Sequence, residues 1–120
     1  MTEYLIKLPW PDSGLSQNAR GHWSKKARKV KAARHEAWAL AKQQKVTCIP
    51  DAVLEFSFSP PTDKRKARDL QNMPEMMKAA IDGIADAMGC DDKLFTPVWP
   101  TEFEDPIPGG CVLVHIKPVG

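Results

Sequence analysis

The sequence predicts a small α/β domain with a mixed four-stranded sheet and two main helices, in the order β-α-β-α-β-β. Three observations carry that expectation. Two stretches, 24–45 and 73–88, repeat apolar residues at helical three-to-four spacing. Short segments rich in Val, Ile, Leu and Phe, several alternating with polar residues, interleave with them. Pro and Gly clusters separate the segments, and strands alternating with helices are the pattern of a layered α/β fold. At 120 residues the chain is sized for one domain, 1–120, with a modest core.

Taken in order, Tyr4-Leu5-Ile6-Lys7-Leu8 reads as a first strand, stopped by Pro9 and Pro11 around Trp10. Asp12 to Gly21, rich in Ser, Asn and Gly, is expected as loop. It delivers Asn18, Arg20, His22 and Trp23 ahead of a helix. From Ser24 to about Lys45 neither Gly nor Pro occurs, and Ala27, Val30, Ala33, Ala37, Leu40 and Ala41 form a narrow apolar stripe suited to packing on a sheet. Leu54, Phe56 and Phe58 share one face of a second strand that ends at Pro60-Pro61. The second helix has readable ends. Asn72 is placed as N-cap, Pro74 in the first turn and Glu75 as the capping-box acid, with Gly89 as the C-terminal stop. Met73, Met77, Ile81, Ile84 and Met88 form its apolar face, and Glu75, Lys78, Asp82 and Asp86 its polar one. Leu94–Trp99 and Cys111–Ile116 read as two more strands, joined through Pro106, Pro108 and Gly109-Gly110.

Composition narrows the class. With 42% hydrophobic and 27% charged residues the chain is globular in type, not disordered. No apolar run approaches the ~18 residues that span a bilayer, and no signal-peptide pattern opens the chain. Cys48, Cys90 and Cys111 are odd in number and lack metal-ligand spacing, so a reduced, cytoplasmic protein is the expectation and zinc is disfavoured. The net charge of +2 conceals an asymmetry: residues 1–68 hold fourteen Lys/Arg against six Asp/Glu, and residues 69–120 hold three against nine. A basic half beside an acidic half suits a protein that grips a polyanion and holds cations near it; charge complementarity within or between subunits explains it equally well.

Two basic segments are the candidates for phosphate contact. Lys25, Lys26, Arg28, Lys29, Lys31 and Arg34 crowd the first helix with no acid before Glu36, and Lys64, Arg65, Lys66 and Arg68 form a cationic loop. Beside them lies an acidic group: Asp69 before the second helix, Glu75 and Asp82 on its polar face, and Asp91 and Asp92 after it. Phosphodiester hydrolysis needs charge neutralised at the phosphate and a water made nucleophilic, which carboxylates holding Mg²⁺ supply. Lys78, between Glu75 and Asp82, is placed to stabilise developing negative charge. Glu75 has a local role in the capping box and Asp91 one in a turn, whereas Asp69, Asp82 and Asp92 have no comparable local role.

Several motifs, in one order, resemble a known family. Leu8-Pro9-Trp10-Pro11 follows the first strand, and Ser16-Gln17-Asn18-Ala19-Arg20-Gly21-His22-Trp23 enters the basic helix. Arg68-Asp69-Leu70-Gln71-Asn72, Lys78-Ala79-Ala80-Ile81-Asp82-Gly83 and Asp91-Asp92 follow. Together they resemble the RusA family of Holliday junction resolvases, crossover junction endodeoxyribonucleases of phage origin, over nearly the whole chain. The resemblance implies a homodimer that cuts four-way DNA junctions symmetrically with Mg²⁺, or Mn²⁺ in its place, during recombination and repair. It implies Asp69, Asp82 and Asp92 as metal ligands and, with Lys78, as the catalytic set. By residue type and charge, the DNA-contact candidates beside this set are Asn18, Arg20, His22, Lys25, Arg28, Lys29, Lys64, Arg65, Lys66 and Arg68. The chain departs from the family at Gln71, where a second acid is expected two residues after Asp69. About three extra residues, nearly one helical turn, also separate this motif from Lys78. Glu75 or Asp82 is a candidate substitute for the lost carboxylate. A junction-binding protein with weakened catalysis is the alternative that Gln71 raises.

Overall fold

A computed structural model describes residues 3–15, 23–62 and 70–119. Its elements are β1 (Tyr4–Pro9), α1 (Trp23–Gln43), β2 (Val53–Ser59), α2 (Met73–Met76), α3 (Lys78–Met88), β3 (Thr96–Val98) and β4 (Cys111–Lys117). The four strands form one mixed sheet in the order β1-β4-β2-β3. β4 lies between β1 and β2 and is antiparallel to both, while β3 runs parallel to β2. This is the α/β class that the alternation of strand and helix patterns predicts.

Strand alternation sorts the side chains onto two faces. Ile6 and Leu8, Leu54, Phe56 and Phe58, and Val112, Val114 and Ile116 point under the helices and are all buried. They meet Ala37 and Ala41 of α1 and Met77, Ile84 and Met88 on the α2–α3 side. The opposite face is more open and mixed: beside exposed Leu5, Lys117 Nζ donates to Glu55 Oε2 at 2.8 Å, and His115 Nε2 lies 2.6 Å from Glu3 Oε1. Trp99, beyond β3, stacks on Phe56 with ring centroids 4.4 Å apart.

Several expectations are corrected. The apolar stripe of α1 covers the core only in its second half: Ala37 and Ala41 are buried, Ala33 and Leu40 half-buried, and Ala27 and Val30 exposed. Periodicity marks a face of the helix and not how far along the helix that face is covered. The helix ends at Gln43, before Lys45, whose φ of 57° lies in the left-handed region.

The second helix is two helices, broken at Met77 (φ −91°, ψ −3°). Its capping box does not form. Residues 70–72 are already a 3₁₀ turn with Asn72 in helical conformation, so the Asn72 side chain makes no cap bond. Gly89 ends α3 as expected, at φ 73°. The expected strand 94–99 shrinks to Thr96–Val98 because Asp92–Leu94 form a 3₁₀ turn.

The three cysteines are not all thiols. Cys48 and Cys90 are joined in a disulfide that ties the loop after α1 to the end of α3, and Cys111, buried in β4, is free. Sequence separation hid the pair; the two helices converge at that end of the domain.

Among the described residues no helix is long and apolar enough to cross a membrane.

Candidate functional site

The residues that come together are Lys78, Asp82 and Asp92. Lys78 opens α3, and Asp82 follows one turn later on the same face, as i,i+4 spacing dictates. Asp92 arrives from the other end of the helix. Gly89 in left-handed conformation reverses the chain, and the Asp91 side chain accepts from the Lys93 amide at 3.0 Å, starting a 3₁₀ turn that aims Asp92 back along α3. Leu94 and Phe95 amides bond back to Asp91 and Asp92 carbonyls, and buried Phe95 anchors the turn in the core. Asp91 is therefore a turn residue, one of the two roles its position allowed.

Lys78 Nζ donates to Asp82 Oδ1 at 3.0 Å and to Asp92 Oδ2 at 3.1 Å. Its side chain is 66% exposed, against 25% for Asp82 and 32% for Asp92. The ammonium thus lies on the solvent side of two more sheltered carboxylates. The bonds to Asp82 and then Asp92 raise the Lys78 pKa above its ordinary value. The Asp92 carboxyl is held below its ordinary value, first of all by the Lys78 bond.

A second ion pair borders this cluster. Arg34 of α1 grips Asp86 of α3 with both arms of its fork, Nε to Oδ2 at 2.7 Å and Nη2 to Oδ1 at 2.9 Å. The bond lowers the Asp86 pKa and raises that of Arg34, which also feels the charges of Asp82 and Asp92. Gly83 makes the approach possible: a Cβ there would overlap the Arg34 carbonyl oxygen and lie 3.1 Å from Ala37 Cβ. Sequence reasoning missed this contact, although a glycine within a helical pattern is a signal of close approach.

The basic face of α1 is also less uniform than its sequence suggests. Lys29 pairs with Asp12 at 3.0 Å, and Arg34 with Asp86, so acids from elsewhere in the chain meet cations of this face. Lys25, Arg28 and Lys31 are exposed. Near Lys29, an apolar cavity of about 350 Å³ lies between the end of β1, α1 and α2, with Trp10, Leu15, Met76 and Met77 in its walls.

Asp69 and the DNA-contact candidates Asn18, Arg20, His22, Lys64, Arg65, Lys66 and Arg68 lie outside the described residues. Of the expected metal ligands, Asp82 and Asp92 are brought together. Glu75 lies on α2, half-buried, and Gln71 in the turn before it. Among the described residues no three His, Cys, Asp or Glu side chains form a metal set. The pair Asp82/Asp92 does offer two oxygen donors converging on one cation, which is Lys78 itself. Two carboxylates with room for water fit the donor class that Mg²⁺ takes.

Fold and cluster together define the class: a small mixed-sheet α/β domain with a lysine-bridged carboxylate pair at the end of its second crossover. No family model matches the chain. Over 95 residues it is 41% identical to an uncharacterized protein of Xylella fastidiosa (strain Temecula1 / ATCC 700964), an alignment covering 75% of this chain. The aligned region spans 61% of that relative's length.

Proposed function

We propose that this chain is a Mg²⁺-dependent, structure-specific endonuclease of the RusA type that resolves four-way DNA junctions as a homodimer in the cytoplasm. The observation that carries the reading is Lys78 bridging Asp82 and Asp92. These residues come from opposite ends of α3, and the turn at Gly89–Leu94 is built so that the third group meets the other two. A lysine needed only for helix stability has its i,i+4 partner already in Asp82.

In this reading Asp82 and Asp92, with Asp69, hold the divalent ion, and Lys78 turns outward to the scissile phosphate. The ion, when bound, supplies charge neutralisation at the phosphate and activation of water. Lys78 remains protonated at neutral pH, because its carboxylate partners favour the charged form, and donates to a non-bridging phosphoryl oxygen as negative charge develops. Asp82 and Asp92 orient the ammonium between turnovers. Lys25, Arg28 and Lys31 contribute phosphate contacts, and a two-fold dimer presents two such sites to a two-fold substrate.

The test is incubation of the purified protein with labelled four-way junction, flap and linear duplex, in Mg²⁺, in Mn²⁺ and in chelator. Symmetric nicking of the junction only with divalent metal supports the proposal. Binding without cleavage in any metal supports the alternative that Gln71 leaves the site inactive, a reading favoured by Lys78 already pairing with both carboxylates. Absence of both binding and cleavage overturns the nucleic-acid reading.

A further inference from the structure

The fold leaves outside the first half of the α1 face that periodicity assigns to the core. Residues 23–32 include no buried side chain; Trp23 is 77% exposed and Val30 37%. Trp23, Ala27, Val30 and Arg34 fall at i, i+4, i+7 and i+11, which places them on one face of the helix. At its far end that face reaches the site: Arg34 grips Asp86, one turn along α3 from Asp82. At 1.5 Å per residue, Trp23 lies about 16 Å along the helix axis from Arg34. The strip is thus a short apolar track, headed by a large exposed indole, that runs into the lysine–carboxylate cluster.

The charges beside the track choose its occupant. Lys26 and Lys31 flank it on either side by helical angle, with Lys25 and Arg28 further round, and α1 holds no acid before Glu36. A second copy laying the same face against this one would bring like charges together. An exposed aromatic next to a row of cations is instead the arrangement that binds single-stranded nucleic acid, bases stacking on the ring and phosphates following the cations.

We infer that the Trp23–Ala27–Val30–Arg34 face of α1 binds a single DNA strand, with Trp23 stacking on an unpaired base and Lys26 and Lys31 holding the flanking phosphates. This deepens the nucleic-acid reading above and rests on it, but not on hydrolysis. A protein that never cleaves can still satisfy it. It adds a determinant for unpaired DNA over continuous duplex, which the phosphate contacts alone do not provide.

The experiment is fluorescence anisotropy of a labelled 12-nucleotide oligothymidylate and of a linear duplex, without divalent metal. It uses the full chain and its Trp23→Ala, Trp23→Phe and Lys31→Ala variants. Trp23→Ala should weaken single-strand binding about tenfold and leave duplex affinity within about twofold, with Trp23→Phe restoring most of the loss. Lys31→Ala should weaken both and lower the salt slope by about 0.7 for the single strand. The exposure of Trp23 predicts that its variants fold; circular dichroism checks this. Unchanged single-strand affinity in Trp23→Ala, or an equal loss for duplex, overturns the inference. So does a change of Trp23→Ala from dimer to monomer in sedimentation, which would make the strip a subunit interface. Wild-type protein that cleaves junctions but does not bind oligothymidylate overturns this inference alone; wild-type protein that binds no DNA overturns the parent reading with it.

Discussion

Replacing Lys78 by Met separates a structural role from a chemical one. Both Lys78 ion pairs are solvent-exposed, and exposed pairs of this kind contribute about 0.2–1 kcal/mol each after screening. Their removal should therefore cost about 1 kcal/mol or less, partly returned by the lysine's released side-chain entropy. A chain of this size should lose about 2–8 °C in melting temperature at most. Cleavage has a larger dependence. Loss of a preorganised donor to developing charge costs about 10²–10³ in rate, so junction nicking by Lys78→Met should fall by about that factor while melting barely moves. Divalent affinity should change in the opposite direction, because Asp82 and Asp92 lose their competing cation. The assay is single-turnover junction cleavage over a Mg²⁺ titration, with calorimetric melting in parallel. Cleavage within about fivefold of wild type, at unchanged stability, would refute the role given to Lys78.

Other expectations follow from the same geometry. Gly83→Ala gains about 1 kcal/mol of helix propensity but places a methyl against the Arg34 backbone, an overpacking cost of about 1–3 kcal/mol; urea unfolding should show net destabilisation, and a stabilised variant would contradict the close crossing of α1 and α3. Reduction of Cys48–Cys90, which closes a loop of 42 residues, should lower stability by up to about 4 kcal/mol in the chain-entropy model; alkylation after mild reduction should label those two cysteines and spare buried Cys111, and an unchanged melting temperature would count against the bridge. In the cytoplasmic setting proposed above, cellular thiols should open it.

The pH dependence has a definite sign. Asp12 is held below its ordinary value first by the Gly14 amide and then by Lys29, Asp86 by Arg34 and Asp92 by Lys78. Groups with lowered folded pKa stabilise the fold above their unfolded values and lose that contribution as pH falls through the folded ones. Stability should therefore decline below the ordinary carboxylate range, and the Arg34→Gln variant should remove the part due to Asp86 from the melting-versus-pH curve. Lys78, with its raised pKa, contributes fully below the ordinary lysine value and loses its contribution as pH rises through the folded one. A profile flat from pH 5 to pH 2 would show that these pairs are not formed in solution.

Local pattern was enough for the sheet. Alternation in Leu54–Phe58 and Val112–Ile116 reports which side chains face the helices, since a strand has only two faces and one of them must be buried. Gly89 likewise announced its left-handed turn, because few other residues tolerate it. The Lys78–Asp82 pair is legible for the same reason, as i,i+4 neighbours on one helix share a face whatever surrounds them.

Tertiary structure decided the rest. A helical stripe says which residues face one way and not how far the neighbouring element extends, so Ala27 and Val30 read as core and are exposed in the fold. Asn72 had the right chemistry for a cap but sits in backbone that is already helical. Asp92, fourteen residues from Lys78, reaches it because the turn after Gly89 folds back. Arg34 and Asp86 are 52 apart and Cys48 and Cys90 are 42 apart; each pair meets because β1 and β2 both run antiparallel to β4, which sends their following helices the same way across one face. Contacts at that separation depend on which elements become neighbours, and no periodicity within a single segment encodes it.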